Sequence, residues 1–185
     1  MFEEVLQQSG VWTSVGPFSH IVLSSRVRLA RNMVSVPFPG RLHADELYPV
    51  NSVIERFARD SEYRDRVGII DLKGVDANER RFLRERNIIT YEMEVSENSM
   101  VAADTRDDFS ILVNEEDHFR IQVIRPGLQL LDAYKTADRV DTELNRFVNY
   151  AFSEELGFLT ACTSNLGTGL RSEERRVGKE CRSRW

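Results

Sequence analysis

The chain has 185 residues, enough for one domain with a sizeable core, and 41% of them are hydrophobic. Its 25 Lys+Arg against 30 Asp+Glu leave a net charge of −5, which argues against nonspecific nucleic-acid binding. No apolar run is long enough to span a bilayer, and Met1-Phe2-Glu3-Glu4 does not open a secretory signal; two cysteines give no disulfide framework and suit a reducing cytoplasm.

His20 has no partner at metal-ligand spacing and reads as a surface residue. From Ile21 to Ala30 the sequence alternates with period two, as a strand does: Ile21, Leu23, Ser25, Val27 and Leu29 on one face, Val22, Ser24, Arg26, Arg28 and Ala30 on the other. Arg26 and Arg28 therefore start about 6.6 Å apart and project from the same side. Guanidinium groups stay charged and form forked hydrogen bonds with phosphate oxygens, so the pair suits neighbouring phosphates of one nucleotide. Two surface arginines on an edge strand would look the same in isolation.

Further along, Leu47, Val50, Val53, Ile54 and Phe57 recur at helical spacing. Residues 67–72 and 109–113 read as strands, and Asn78 to Arg86 as a short helix. Leu130, Tyr134, Ala137, Val140, Leu144, Phe147 and Ala151 predict a second long helix. Strands and helices in separate runs point to an α+β fold.

Directly after Ile111-Leu112-Val113 come three carboxylates and a histidine, Glu115-Glu116-Asp117-His118. Such a run is costly in a strand unless it meets a cation, a metal or a substrate, so it reads as the mouth of a site. Beyond the turn, Phe119, Ile121 and Val123 form an apolar face and His118, Arg120 and Gln122 point the other way, which would put Glu116, His118 and Arg120 on one polar surface. His118 is expected to brace the acidic loop. A third segment, Ser164 to Arg171, contains Gly167 and Gly169; glycines let backbone amides turn inward around an anion.

Three blocks, Ser24-Ser25-Arg26-Val27-Arg28-Leu29-Ala30-Arg31-Asn32, Val113-Asn114-Glu115-Glu116-Asp117-His118-Phe119-Arg120-Ile121 and Asn165-Leu166-Gly167-Thr168-Gly169-Leu170-Arg171, resemble in order and spacing the signatures of the phosphagen (guanidino) kinases, and within them the bacterial protein-arginine kinases. The resemblance implies an antiparallel sheet flanked by helices and transfer of the ATP γ-phosphate to arginine side chains of proteins. It implies that Glu116 orients and helps deprotonate the acceptor guanidinium, with Glu115 supporting it or the magnesium shell. Ser24, Ser25, Arg26, Val27, Arg28, Arg120 and Arg171 would hold ATP, with Mg2+ as cofactor and no direct protein ligand to the metal. Cys162 resembles the family's active-site cysteine, although a small buried thiol reads equally well. The family also implies an adaptor-type activator, a heat-shock repressor and the Clp protease machinery as partners, a possible homodimer, and a cytoplasmic location, with no membrane and no direct nucleic-acid contact.

Some positions depart from the pattern. Asn87 stands near the family's adenine-side histidine, and Thr163 replaces the proline after the cysteine. After Arg171 the family's continuation gives way to a charge-dense segment, so the expected organisation is a partial catalytic domain over 1–171, incomplete at its C-terminus, and a non-family tail over 172–185 that is disordered or artefactual. The family's later arginines and second carboxylate would lie beyond it, and the chain alone is expected to be inactive. The alternative is a catalytically inactive fragment, or a regulatory module that binds ATP or arginine.

Overall fold

The computed structural model describes residues 10–41, 44–96 and 98–178. The alternating segment forms β1 (Val22–Arg31), and its parity decides the rest of the fold: Val27 and Leu29 are buried on one side while Arg26 and Arg28 emerge on the other. The remaining strands of the main sheet are β2 (Val67–Asp71), β3 (Met100–Asp104), β4 (Ser110–Val113), β5 (Phe119–Pro126) and β8 (Leu170–Arg176); β6 (Phe152–Ser153) and β7 (Gly157–Phe158) make a separate small hairpin. The sheet runs β2-β3-β4-β5-β1-β8, and every neighbouring pair is antiparallel. With its helices this is the expected α+β architecture.

One face is covered along its length. Helix α1 (Tyr48–Asp60), with Pro49 in its first turn, lays Val50, Val53, Ile54 and Phe57 on the sheet; α4 (Leu130–Leu144) lays Ala133, Ala137, Val140 and Leu144 beside them. Burying an aliphatic side chain of this size contributes roughly 1.5–3 kcal/mol, so the two stripes account for much of the drive to fold. The α4 stripe is rotated from the one read in the sequence: Ala133 faces inward and Tyr134 outward, and the helix stops at Leu144, short of Phe147 and Ala151.

The other face is covered over only half its width. Helices α2 (Ala77–Glu85) and α3 (Tyr91–Val95) pack Leu83 and Met93, with Ile88 and Ile89 between them, onto Ile70, Val101, Ala103 and Leu112 of β2, β3 and β4. Helix α2 starts at a reciprocal capping box between Asp76 and Glu79. Among the described residues no α-helix covers the same face of β5, β1 and β8; a single 3₁₀ turn, Val11–Thr13, reaches it at Gln122 and Ile124, and the rest of this half carries Arg26, Arg28 and Arg120.

Two expectations fail here. Ile21 and Leu23 are exposed rather than on the core face, because the β1–β8 register shifts between Val22 and Ser24. The tail is not disordered over 172–176: it continues β8, pairing Ser172 with Val27 and Glu173 with Arg26. Backbone hydrogen bonding to the open edge of β1 needs no apolar pattern, and the strand's side chains are mostly exposed. Residues 179–185 of that expectation lie outside the described residues.

Candidate active site

The turn between β4 and β5 sorts its charges by backbone geometry. Asn114 has φ +56°, a left-handed conformation that asparagine tolerates better than most residues. It is pinned by its N–H donating to the carbonyl of His118 (3.0 Å), by Ser99 Oγ donating to its own carbonyl (2.9 Å), and by its Nδ2 donating to Asn51 Oδ1 (2.8 Å). Glu115 and Glu116 then leave on the bare side of the sheet and both pair with Arg120, at 2.5 and 2.9 Å. The Glu115 side chain is 4% exposed and that of Glu116 45%, so Glu116 is the carboxylate open to a ligand.

Asp117 and His118 turn inward instead. Asp117 accepts from Asn32 Nδ2 (2.7 Å) and from the Ala161 amide (2.8 Å), tying the acidic turn both to β1 and to the segment before the glycine loop. His118 is fully buried and accepts at Nδ1 from the Met33 amide (3.0 Å), which places its proton on Nε2 to donate to the Pro37 carbonyl (2.8 Å). It does brace the loop, but it does not share a polar surface with Glu116 and Arg120. Burial lowers the His118 pKa from its ordinary 6.5, partly offset by its bond to Pro37 and by Asp117. The folded state therefore binds this proton less readily than the unfolded chain, and its contribution is complete above about pH 6.5 and lost as pH falls through the lowered value. Melting temperatures measured from pH 7.5 to 5 should fall, and His118→Gln, though less stable overall, should flatten that slope. An unchanged slope would remove His118 as its source.

Arginines line the bare half of the sheet at close range. Arg28 on β1 lies directly across from Arg171 on β8 and from Gln122 on β5, while Arg120 lies across from Ala30, one step along the same face. Like charges opposite each other destabilise a sheet unless an anion joins them. The strain shows on Arg28, whose pKa is lowered first by burial and then by Arg26, against the opposing pull of Glu173, with Arg120 and Arg171 adding to the lowering. Its Nε is buried without a hydrogen-bond partner. Arg28, Arg120 and Arg171 line a hollow of about 100 Å³ together with Glu116, Asn165 and Gly169. Glu173 pairs with both Arg26 and Arg28, the latter at 3.1 Å, so a carboxylate of β8 stands against the clamp.

Of the residues expected to contact nucleotide, Ser24, Arg26, Arg28, Arg120 and Arg171 share this side. Ser24 and Arg26 line an adjoining groove of about 370 Å³ with Ile124. The side chains of Ser25 and Val27 face away from the hollow. The period of the strand turns both to the opposite face, where Val27 joins the core and Ser25 Oγ donates to the Gly127 carbonyl (2.7 Å) and accepts from the Gln129 amide (2.9 Å) at the start of α4. Cys162 lies 3.0 Å from Ser164 Oγ and lines neither the arginine hollow nor the cleft beside Glu116. Asn87 lines a different, small cavity with Trp12 and Asp107.

Arg31 is the residue the sequence reading passed over. It is 4% exposed, with its guanidinium 3.6 Å from the centre of the Phe158 ring and paired with Asp141 at 2.7 Å. Its Nη1 donates to the carbonyls of Ala30 (2.8 Å) and Thr168 (3.0 Å), which fastens the glycine loop to β1 and so sets where Arg171 leaves it. A signal was available: Arg31 has the parity of Val27 and Leu29, and a charge on the core face requires a partner.

The chain that builds this six-stranded antiparallel sheet, with its arginine hollow beside a paired-carboxylate turn, belongs to the ATP:guanido phosphotransferase family: residues 49–173 match the family's C-terminal catalytic domain. It is 40% identical over 160 residues to the protein-arginine kinase of Geobacillus kaustophilus, covering 85% of this chain and 44% of that protein, and 40% identical over 162 residues to that of Bacillus subtilis. The chain thus spans less than half the length of the curated relatives it matches. Solved structures with the same fold include a duplicated taurocyamine kinase from Schistosoma mansoni (TM-score 0.77, 23% identity, 95% of this chain and 26% of that one) and a lombricine kinase (TM-score 0.76, 19% identity, 93% and 51%).

Proposed function

We propose that this domain transfers the γ-phosphoryl group of ATP to the guanidinium of arginine side chains in proteins. The observation that carries the proposal is the hollow in which Glu116 meets Arg28, Arg120 and Arg171, with Arg28 Nε lacking a partner. Arginines on several sides neutralise charge developing on the transferring group, and the nearby carboxylate positions the acceptor. An acceptor nitrogen attacks the γ-phosphorus, the bond to the β-phosphate oxygen breaks, and Glu116 draws the nitrogen's proton while Glu115 holds Arg120 in place. A guanidinium is cationic and delocalised, hence a poor nucleophile without such help. Among the described residues no group of three or more His, Cys, Asp or Glu could hold a metal, and magnesium would ride on the nucleotide phosphates, with Glu115 the carboxylate that would support its shell. It would add positive charge at the γ-phosphate. No helix of the described residues is long and apolar enough to cross a membrane. Cytoplasmic location, a homodimer and the adaptor, repressor and Clp partners belong to the same proposal and rest on the family relationship.

The test is radiolabelled ATP with an arginine-rich acceptor protein, using this domain within a full-length kinase. Acid-labile label on the acceptor is expected, and its absence would reject the proposal. The Glu173 contact favours a second reading, a binding module whose clamp is already neutralised, and persistent lack of label with intact ATP binding would support it.

The clamp itself can be tested by titration. Arg26→Lys keeps the charge but loses the forked geometry, so affinity for ATP should fall about tenfold while affinity for adenosine stays level. Equal losses for both ligands would show that Arg26 does not hold phosphate.

A further inference from the structure

Away from the arginine hollow, a groove of about 380 Å³ runs between the C-terminal end of α4 and the β6–β7 hairpin, lined by Asp141, Asn145 and Asn149 on one side and by Tyr150, Phe152 and Phe158 on the other. The three rings meet edge to face: Phe158 lies 5.2 Å from Phe152 and 5.8 Å from Tyr150, at interplanar angles of 74° and 78°. Rings set nearly at right angles turn their faces toward shared space, and those faces carry the negative part of the ring quadrupole. The cluster already holds one cation from beneath, since the Arg31 guanidinium sits over Phe158 and is neutralised by Asp141. Phe152 is 58% exposed, and Leu156 on the turn of the same hairpin is exposed too, so the apolar surface continues past the groove.

The charge around this surface has one sign. No lysine or arginine lines the groove, and its ionised lining group is Asp141. Asp138 stands one helical turn away on the same face of α4, and the turn of the hairpin carries Glu154 and Glu155, both exposed and, among the described residues, without a cation partner. Arg146, next to Asn145 in the chain, is already held by Glu143 at 2.8 Å. An anionic ligand would meet this rim with no free cation to receive it. A lysine side chain matches both parts of the surface: its methylene stem covers the rings while its ammonium reaches the carboxylates.

We propose that this groove is a docking site for a basic, lysine-bearing segment of a partner polypeptide, separate from the arginine hollow and independent of whether that hollow serves phosphoryl transfer. The experiment measures fluorescence anisotropy of a labelled peptide, Gly-Lys-Leu-Lys-Leu-Lys-Gly, titrated with the full chain, alongside counterparts carrying glutamine or glutamate at every lysine position. Lysine rather than arginine keeps the probe from competing for Glu116. The lysine peptide should bind at least about tenfold more tightly than the glutamine one, and the glutamate peptide should not bind. Phe152→Ala should weaken the lysine peptide at least about fivefold, the scale of one cation–π contact and its apolar area. Glu154→Lys combined with Glu155→Lys leaves every ring in place and should weaken it as much. The same charge change on the opposite face of the sheet, Glu85→Lys with Glu92→Lys, should alter affinity less than about twofold. Equal binding of the lysine and glutamine peptides would make the groove a purely apolar surface, and preference for glutamate would make it an anion site. A loss from the Glu85 and Glu92 pair matching that from Glu154 and Glu155 would reduce the attraction to net charge. Each of these results, like indifference to both groove variants or no binding of any peptide, would overturn the proposal.

Discussion

Replacing Glu116 by glutamine in a full-length protein carrying this domain is expected to lower turnover by a factor of about 10²–10³, the scale of losing a general base. Nucleotide binding should be spared and even slightly strengthened. Arg120 now divides its charge between Glu115 and Glu116, and a neutral amide at 116 leaves more of that charge for phosphate. Steady-state turnover with an arginine-bearing protein and calorimetric titration with ATP distinguish the two effects. Turnover close to that of the parent would remove Glu116 from the chemistry.

Gly169→Ala should have the largest structural effect. The backbone there is left-handed, at φ +66°, and a Cβ would come within 2.4 Å of Arg31 Nη1 and 2.5 Å of the Ala30 carbonyl. The first problem costs about 1–2 kcal/mol for an L residue, and relieving the second must displace either the β1 backbone or a guanidinium locked between Asp141 and Phe158. A total loss of roughly 3 kcal/mol would lower the melting temperature by roughly 6–12 °C in a domain of this size. ATP affinity should fall further than stability explains, because Arg171 hangs from the displaced loop. A melting temperature within about 2 °C of the parent, with unaltered ATP binding, would show that the loop accommodates a side chain there.

The sheet was legible because β1 and β5 each bury one face, and a buried face forces strict alternation. The same parity put Arg26 beside Arg28 on one face, whereas Arg120 joined them only through the resemblance to the family. Local pattern failed where a contact distant in sequence decides the outcome. His118 alternates with Arg120, yet the left-handed Asn114 and the amide of Met33 draw it inside. The segment after Arg171 has no apolar period, yet it forms a strand because β1 offers an unfilled edge. Arg31 went unnoticed since its partners, Asp141 and Phe158, lie more than a hundred positions away and belong to no motif.

The central place of β1 also governs the order in which the protein can assemble. Its hydrogen-bonding neighbours are β5 and β8, and the side-chain anchor of Ser25 to Gly127 closes a loop of 102 positions. During synthesis β2, β3 and β4 can zip into a meander as they emerge, whereas β1, made before them, must wait with both edges bare until β5 and β8 are available. The face that carries Arg26, Arg28 and Arg120 is therefore completed only after the β2–β4 meander is in place. A ribosome-bound nascent chain would expose Arg26 and Arg28 until β5 has been made, making this strand the point at which chaperone capture or misassociation would begin.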